Sequence, residues 1–275
     1  MNKLAQAKRV QVIAALVEGN SVRATCRMTG VCKKAVLKLL VDLGSACARY
    51  QDEHLRGLPC QRIQCDEIWS FCYAKEKNVP DEYKGKLGFG DVWTWVAIDA
   101  DSKLIVSYLV GKRSAEYASK FIADLASRLA HRIQLTTDGH KAYLQAVEGA
   151  FGSEVDYAML EKIYAAPPRE GQARYSPAEC CGARKVKIQG NPDDAHISTS
   201  YVERQNLTMR MSLRRMTRLT NAFSKKLENQ SHAVAIHFMH YNFAKVHQTL
   251  RVTPAMEAGV ADHVWSLEEI IRLLD

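Results

Sequence analysis

The sequence predicts an α/β fold, in which a mixed sheet carries helices on both faces and follows a small all-α domain. Three observations support this class. The first fifty residues show helical spacing of apolar residues, interrupted by glycines. Short segments rich in β-branched and aromatic residues follow from residue 62. Helical and strand patterns then alternate, and the resulting order β-β-β-α-β-α-β-α implies a mixed sheet.

Residues 1–50 are predicted to form three short helices. "KRVQVIAALVEG" ends at Gly19, Ser21 caps "VRATCRMT", and "CKKAVLKLLVDLG" closes at Gly44. A tight turn at Gly30 joins the last two helices and gives them the outline of a helix-turn-helix. In that arrangement three lysines at the start of the last helix would contact DNA, namely Lys33, Lys34 and Lys38. The alternative is a plain helical bundle whose lysines face water.

Residues 45–60 are expected to form a helical connector that ends at Pro59, with the linker between domains over residues 51–60. A larger domain is expected over residues 61–275. Its strands and helices are predicted in the order "RIQCDEIWSF", "VWTWVAID", "KLIVSYLVG", "SAEYASKFIADLASRLAH", "IQLTTDG" and "HKAYLQAVEGAF". "DYAMLEKIY" fits either a strand or a helical turn. Residues 165–200, rich in proline, glycine and charge, are predicted to form a loop insertion, and the remaining residues to form C-terminal helices.

The composition favours a polyanionic partner. The net charge is +8 and the pI about 9.0, although charge alone does not separate DNA from RNA or a membrane surface. No apolar run approaches the length of a membrane span, and the first residues lack a secretory signal pattern, so a cytoplasmic protein is expected. The eight cysteines do not show the spacing of a tetrahedral zinc site.

Three acidic residues are candidates for a metal site. Asp66 lies in the first predicted strand, Asp138 ends a later strand, and Glu203 lies near the start of a helix. Strand ends and a helix start can bring distant carboxylates together, and Mg²⁺ prefers carboxylate and water oxygens. Phosphoryl transfer on DNA commonly uses two such ions. Each Asp taken alone fits a turn or a cap equally well.

The segment "STSYVERQNLTMRMSLRRMTRLT", residues 198–220, predicts a helix with one acid among many arginines. A buried stripe is predicted for Val202, Met209, Leu213, Met216, Thr220 and Phe223. Glu203 shares another face with Arg210 and Arg214. Guanidinium groups suit phosphate geometry, so this face is predicted to follow a DNA backbone. The predicted contacts are Arg204, Arg210, Arg214, Arg215, Arg218, Lys225 and Lys226. A solvated basic face with one neutralising acid is the alternative.

Together the motifs "CDEIWSF", "LTTDGHKAYL" and "STSYVERQNLTMRM" resemble those of bacterial insertion-sequence transposases, and in particular the insertion-sequence-one family. That family is of the DDE class. The resemblance implies an RNase H-like core, with Asp66, Asp138 and Glu203 as catalytic ligands of Mg²⁺ or Mn²⁺, two ions per active site. It also implies that the N-terminal helix-turn-helix binds terminal inverted repeats. Some relatives begin with a cysteine zinc finger, whose spacing this chain lacks.

Neighbouring residues have less certain roles. His140 either orients a phosphate or water at the site or caps the next helix, and Asn206 is a candidate for ordering a ligand. Glu67 should point to the opposite strand face from Asp66 and so not act as a ligand. Trp69, Trp93 and Trp95 are expected in the core rather than as base-stacking residues.

The predicted function is that of a Mg²⁺-dependent DNA transposase acting on double-stranded DNA at both the element ends and the target. Because two DNA ends must be held together, at least a homodimer is expected. One rival is a nuclease or resolvase with the same core that cuts without joining. Another is a non-enzymatic DNA-binding regulator that uses the helix-turn-helix alone.

Overall fold

The computed structural model describes residues 4–164, 180–218 and 220–275. Within these ranges the helices and strands follow the predicted α/β order. The helices are α1 (Gln6–Val17), α2 (Val22–Thr29), α3 (Lys33–His54), α4 (Ala115–Arg128), α5 (Ala142–Phe151), α6 (Ser200–Ser212), α7 (Leu227–Met239), α8 (Pro254–Glu257) and α9 (Leu267–Arg272). The strands are β1 (Arg62–Cys72), β2 (Gly90–Asp99), β3 (Ile105–Gly111), β4 (Ile133–Asp138), β5 (Val155–Tyr164) and β6 (Cys180–Gln189).

The six strands form one mixed sheet in the order β3-β2-β1-β4-β5-β6. β1, β2 and β3 are antiparallel neighbours, β1–β4 and β4–β5 are parallel, and β6 is antiparallel to β5. The parallel pairs are connected through α4 and α5, as crossover connections require. The predicted α/β class, in which a mixed sheet carries helices on both faces, is therefore confirmed.

Apolar residues on each face of the sheet pack against a different set of helices. On one face Trp95 lies against Phe121 of α4 and Tyr143 of α5, and all three side chains are fully buried. On the other face Asn242, in a π-helical turn after α7, hydrogen-bonds both backbone groups of Ile105 in β3 at 2.9 and 3.0 Å. This second face carries α6 and α7, and α3 packs against α7.

The N-terminal helices begin and end largely where their capping residues predict. Ser21 accepts a hydrogen bond from the Ala24 backbone at the start of α2, and Gly30 ends α2 in the left-handed conformation with φ of 70°. The third helix differs from the prediction, because α3 continues through Gly44 to His54. The predicted domain boundary at residue 50 therefore falls inside a helix, and much of the predicted linker is helical.

Gly44 marks a close helix contact rather than a helix end. A Cβ atom placed on Gly44 would lie 2.7 Å from both the Cα and the carbonyl oxygen of His232 in α7. That separation is too short for a side chain, so glycine at this position allows α3 to pack closely against α7.

Gly44→Ala is expected to lower the free energy of unfolding by about 3 kcal/mol, because the backbone of α7 must move away. Gly149→Ala in α5 is a matched control, since a Cβ there meets nothing within 4 Å. That control should be neutral or stabilise the protein by roughly 0.5–1 kcal/mol through helix propensity. Urea unfolding of both variants measures the difference; equal stabilities would contradict the close-packing account.

The predicted loop insertion at residues 165–200 is partly wrong. Residues 165–179 lie outside the described part of the chain, but residues 180–189 form strand β6. β6 is an edge strand whose residues are exposed on both faces, apart from partial burial of Val186 and Gln189. Because no face is buried, the sequence of β6 lacks the alternation of apolar and polar residues that reveals a strand.

The predicted helix over residues 198–220 also ends earlier, at Ser212. Leu213 adopts an extended conformation, and the chain then turns back on itself. Two hydrogen bonds hold this turn, from the Arg210 guanidinium to the Met216 carbonyl at 3.1 Å and from the Thr217 hydroxyl to the Arg210 carbonyl at 2.8 Å. Four members of the predicted stripe, Val202, Met209, Leu213 and Met216, are nevertheless buried, whereas Thr220 and Phe223 are only half-buried.

Among the described helices, none combines the length and apolar character needed to cross a bilayer.

Candidate active site

Asp66 and Asp138 lie next to each other because their strands are parallel neighbours. Cys65 of β1 is in register with Thr137 of β4, and each of the two aspartates comes directly after one of these residues. Their carboxylate oxygens belong to a group of ligand atoms that lie within 4.8 Å of one another, in which the third member is Glu67. The parallel pairing of β1 with the end of β4 therefore brings two of the three predicted acids together.

Glu203 reaches the same region from the first turn of α6. An open cleft of about 850 Å³ is lined by Asp66, Asp138 and Glu203 together with Arg113 and Lys162. The carboxylate of Glu203 is not in the 4.8 Å group. It accepts hydrogen bonds from Thr199 and forms a 2.8 Å ion pair with Lys162 of β5. The third predicted acid thus faces the cleft but is bound to a protein cation.

Hydrogen bonds between β1 and α6 hold Glu203 in this position. The side-chain oxygen of Gln64 accepts from the backbone N–H groups of Tyr201 and Val202, at 2.9 and 3.2 Å. One turn later, the Asn206 amide donates to Asp66 at 2.8 Å. Gln64 is a buried residue on the same strand face as Asp66, and it satisfies N–H groups that a helix start leaves unpaired.

Gln64→Leu is expected to destabilise the protein by about 2 kcal/mol, because two buried donors lose their acceptor. Amide hydrogen exchange at Tyr201 and Val202 should become faster. A matched control is Gln134→Leu on the adjacent strand β4. This change removes similar side-chain hydrogen bonds to the backbone of Asp193. Exchange at Tyr201 and Val202 should be unchanged in that control. Unaltered exchange in Gln64→Leu would show that Gln64 does not hold the start of α6.

Glu67 lies on the opposite strand face, as predicted, yet its carboxylate comes close to the two aspartates. Its side chain is fully buried, at 0% exposure, and it accepts a 2.8 Å hydrogen bond from Arg113. Burial and the nearby charge of Asp138 raise the pKa of Glu67 to about 7, although Tyr143 and Arg113 oppose this shift. Because Glu67 is enclosed, it is poorly placed to hold an ion that must also contact a substrate.

Arg113 is a member of the site that the sequence analysis missed. It follows β3 and reaches both Glu67, at 2.8 Å, and Asp138, at 3.4 Å. Its guanidinium carbon lies 4.8 Å from the centre of the Trp93 ring. The only signal in the sequence is a basic residue directly after a predicted strand, which is too common to single out.

The pKa of Asp66 shows how crowded the acids are. Burial raises this pKa to about 6, and the charges of Asp138 and Glu203 add to the effect, while the Glu67 backbone N–H and Lys162 lower it. Burial is the main cause of this shift, and the neighbouring carboxylates add uncompensated negative charge. A divalent cation would neutralise that charge, and a donor set made only of carboxylate oxygens suits Mg²⁺ or Mn²⁺. The residues therefore fit the implied metal.

His140 and Asn206 contact the aspartates in different ways. The backbone N–H of His140 donates to Asp138 at 3.0 Å, while its ring packs near Trp95 and Tyr143. Burial, followed by the charge of Arg113, lowers the pKa of His140. The side chain of Asn206 bonds directly to Asp66. Both residues thus help to fix the orientation of an acidic side chain, His140 through its backbone.

The basic residues predicted to contact DNA divide into two groups. Arg210 bonds the backbone of Met216 and Trp69, and Arg215 bonds Ser224 and the Asn229 carbonyl. Burial lowers the pKa of Arg215 to about 10. Both are committed to internal hydrogen bonds, which corrects their predicted role. The exposed residues are Lys33, Lys34, Lys38, Arg204, Arg214, Arg218, Lys225 and Lys226.

Comparisons with known proteins give weak structural similarities. No family model matches the sequence, and no curated protein shows significant similarity to it. Among solved structures, the chain is similar to the Mos1 transposase paired-end complex with left transposon end, at a TM-score of 0.24 and 13% identity. It is also similar to a piggyBac transposase synaptic complex with hairpin DNA, at a TM-score of 0.31 and 10% identity. A third similar structure is the Mos1 strand transfer complex, at a TM-score of 0.26 and 12% identity.

The matched regions differ in extent. The alignments cover 56% of this chain for the paired-end Mos1 complex, 95% for the piggyBac complex and 86% for the Mos1 strand transfer complex. They span 59% of the paired-end Mos1 chain, 57% of the piggyBac chain and 75% of the strand-transfer Mos1 chain. The chain thus spans less than two thirds of the first Mos1 chain. The fold assignment rests on the strand order and directions described above.

Proposed function

We propose that the chain is a DNA transposase of the DDE class, related to the insertion-sequence-one family. It would bind the terminal inverted repeats of its element and catalyse strand cleavage followed by strand transfer. The observation that carries this proposal is the pairing of Asp66, within β1, with Asp138, at the end of the neighbouring strand β4, and Glu203 lines the same cleft. The resemblance of the three sequence motifs to insertion-sequence transposases supports the same conclusion.

Asp66, Asp138 and Glu203 would hold two Mg²⁺ or Mn²⁺ ions. When bound, these ions would stabilise negative charge on the attacking and leaving oxygens. Asn206 and the His140 backbone keep the two aspartates oriented. Lys162 must release Glu203 for the site to form, and its ammonium group would then be free to pair with a DNA phosphate. Arg113 and Lys141 also line the cleft and would bind neighbouring phosphates.

The proposed reaction needs no protein nucleophile. In the first step a water oxygen attacks phosphorus, the bond to the 3′ oxygen breaks, and a 3′ hydroxyl and a 5′ phosphate result. In the second step that hydroxyl oxygen attacks a target phosphorus and displaces the 3′ oxygen of the target strand. In each step the attacking oxygen gives up a proton and the departing 3′ oxygen takes one up to become a hydroxyl. Because two ends must be joined to one target, we propose at least a dimer.

Joining of pre-cleaved ends tests this proposal. Duplexes that end in a free 3′ hydroxyl are incubated with the protein, Mg²⁺ and a plasmid target. A transposase should produce covalently joined product that requires the 3′ hydroxyl, and ends blocked with a 3′ dideoxynucleotide should give none. Cleavage of intact ends without any joined product would instead identify a nuclease or resolvase. Binding without cleavage or joining would favour a DNA-binding regulator.

Recognition of the ends is proposed for the start of α3. Lys33 and Lys34 are exposed there, and no ion pair holds either one in the part of the chain that the structure describes. The double change Lys33→Ala and Lys34→Ala should weaken specific end binding by about tenfold or more. Lys120→Ala, an exposed lysine paired with Glu116 on α4, is the control. Unchanged discrimination between end DNA and random DNA would contradict this assignment.

A further inference from the structure

A strip of aromatic side chains extends along the sheet from the acidic cleft. We define the aromatic strip as Trp93, Trp69, Phe71 and Phe223. Trp69 and Trp93 are directly opposite each other across β1 and β2, and Phe71 follows on the same strand face. The ring centres of Trp69 and Phe71 are 5.8 Å apart, and those of Phe71 and Phe223 are 4.7 Å apart. Trp69, Phe71 and Phe223 therefore form a continuous row of rings, and Trp93 lies beside Trp69 on the neighbouring strand.

The aromatic strip begins at the acidic residues. Arg113 lies over the Trp93 ring at 4.8 Å and also contacts Asp138 and Glu67. One side chain thus joins the first ring of the strip to the proposed metal site. A DNA strand that passes from the cleft to the face of β1 that carries Glu67 would meet the rings.

Helices do not cover the aromatic strip. Trp95, on the same sheet face, is fully buried beneath α4 and α5. By contrast, all four residues of the strip are only half-buried. Three of them line an open groove of about 740 Å³. The strip is thus a partly open face, although Trp69 and Trp93 were expected to belong to the core.

Cations surround the groove. The Lys225 ammonium lies 4.1 Å from the centre of the Phe223 ring. Lys75, Lys77 and Arg218 are exposed and line the same groove. Alternating rings and basic groups match the chemistry of a single-stranded nucleic acid, whose bases stack on aromatic side chains while its phosphates pair with cations. An apolar protein partner would leave these charges without partners.

We propose that the aromatic strip binds unpaired bases of a DNA strand next to the cleavage position. This inference rests on the proposed function, because it assumes DNA in the cleft. Bases within a duplex are already stacked, so only an unpaired nucleotide offers its faces to the rings. The strip would thus favour ends that carry unpaired nucleotides over fully paired ends.

Equilibrium binding without divalent ions tests the inference separately from catalysis. Fluorescence anisotropy measures the affinity for a blunt duplex and for versions of the same duplex with four unpaired thymidines on one strand. The overhang is placed at a 3′ end in some of these versions and at a 5′ end in the others, so that each end of the duplex is tested. Wild-type protein should bind the better of the overhang substrates about tenfold more tightly than the blunt duplex. Phe223→Ala and Trp69→Ala should reduce this preference to about twofold or less, with unchanged affinity for the blunt duplex.

The controls separate stacking from folding. Phe223→Tyr keeps the ring and should keep the preference. Tyr201→Ala removes an exposed ring that contacts Lys103, outside the strip, and should also keep it. If Trp69→Ala lowers the melting temperature, Phe223→Ala in its loop decides the question. A wild-type protein without overhang preference, or a Phe223→Ala variant that retains it, would overturn the inference. Either result would leave cleavage and joining by the wild-type protein unaffected.

Discussion

Asp66→Asn is expected to reduce DNA strand cleavage by about 1,000-fold or more, because one metal-binding oxygen becomes a neutral amide. Asp66 is the most central of the three proposed ligands. It adjoins Asp138 and accepts a hydrogen bond from Asn206, and its pKa is raised first by burial and then by the charges of Asp138 and Glu203. Asparagine keeps its size and one oxygen, so the hydrogen bond from Asn206 can persist. The fold and the DNA affinity should therefore change little.

The measurement is single-turnover cleavage of a labelled element end at saturating protein, alongside anisotropy for binding. Asp91→Asn is a suitable control, because Asp91 is an exposed aspartate on the adjacent strand β2. It should cleave at the wild-type rate. Cleavage by Asp66→Asn within tenfold of wild type would exclude a ligand role for Asp66. Loss of binding and cleavage together would show that the change damages the fold instead.

Glu203→Gln is expected to lower cleavage by about 100-fold to 1,000-fold, and Glu67→Gln by much less. The prediction depends on how accessible each carboxylate is to a metal ion in the cleft. The Glu203 side chain is 37% exposed in the cleft, whereas that of Glu67 is enclosed. Glu203 can exchange Lys162 for a metal ion by a side-chain movement at the surface. Glu67 would have to give up its buried hydrogen bond to Arg113.

A titration of Mg²⁺ separates the two acids further. Glu203→Gln should require more Mg²⁺ for half-maximal cleavage, whereas Glu67→Gln should show the wild-type requirement and a modest loss of stability. The reverse pattern would make Glu67 the third ligand, in line with the 4.8 Å grouping of Asp66, Glu67 and Asp138. In that case Glu203 would serve as the partner of Lys162 only.

Much of the fold could be predicted because its strands are buried. β1, β2, β3 and β4 are rich in β-branched and aromatic residues, and the helices that cover them show apolar spacing. β6 escaped prediction because it is an exposed edge strand. The end of α3 was misplaced because glycine favours both helix ends and close helix contacts, and only the position of His232 distinguishes these for Gly44.

The candidate site was predictable in outline but not in detail. Asp66 and Asp138 lie together because β1 and β4 are parallel neighbours, and the end of β4 lies beside the middle of β1. The cations that accompany them come from long-range contacts that local patterns do not encode. Arg113 follows the distant edge strand β3, and Lys162 lies in β5. The internal roles of Arg210 and Arg215 were equally hidden, because they depend on the turn after Ser212.

A crystal structure with Mn²⁺ bound, located by its anomalous scattering, tests the metal site most directly. At least one Mn²⁺ is expected between the carboxylates of Asp66 and Asp138, and the side chain of Glu203 should have turned from Lys162 toward the ion. Crystals of Asp66→Asn grown the same way should lose this anomalous peak. If no Mn²⁺ binds these carboxylates at saturating Mn²⁺ concentration with DNA present, the three acids are not a metal site.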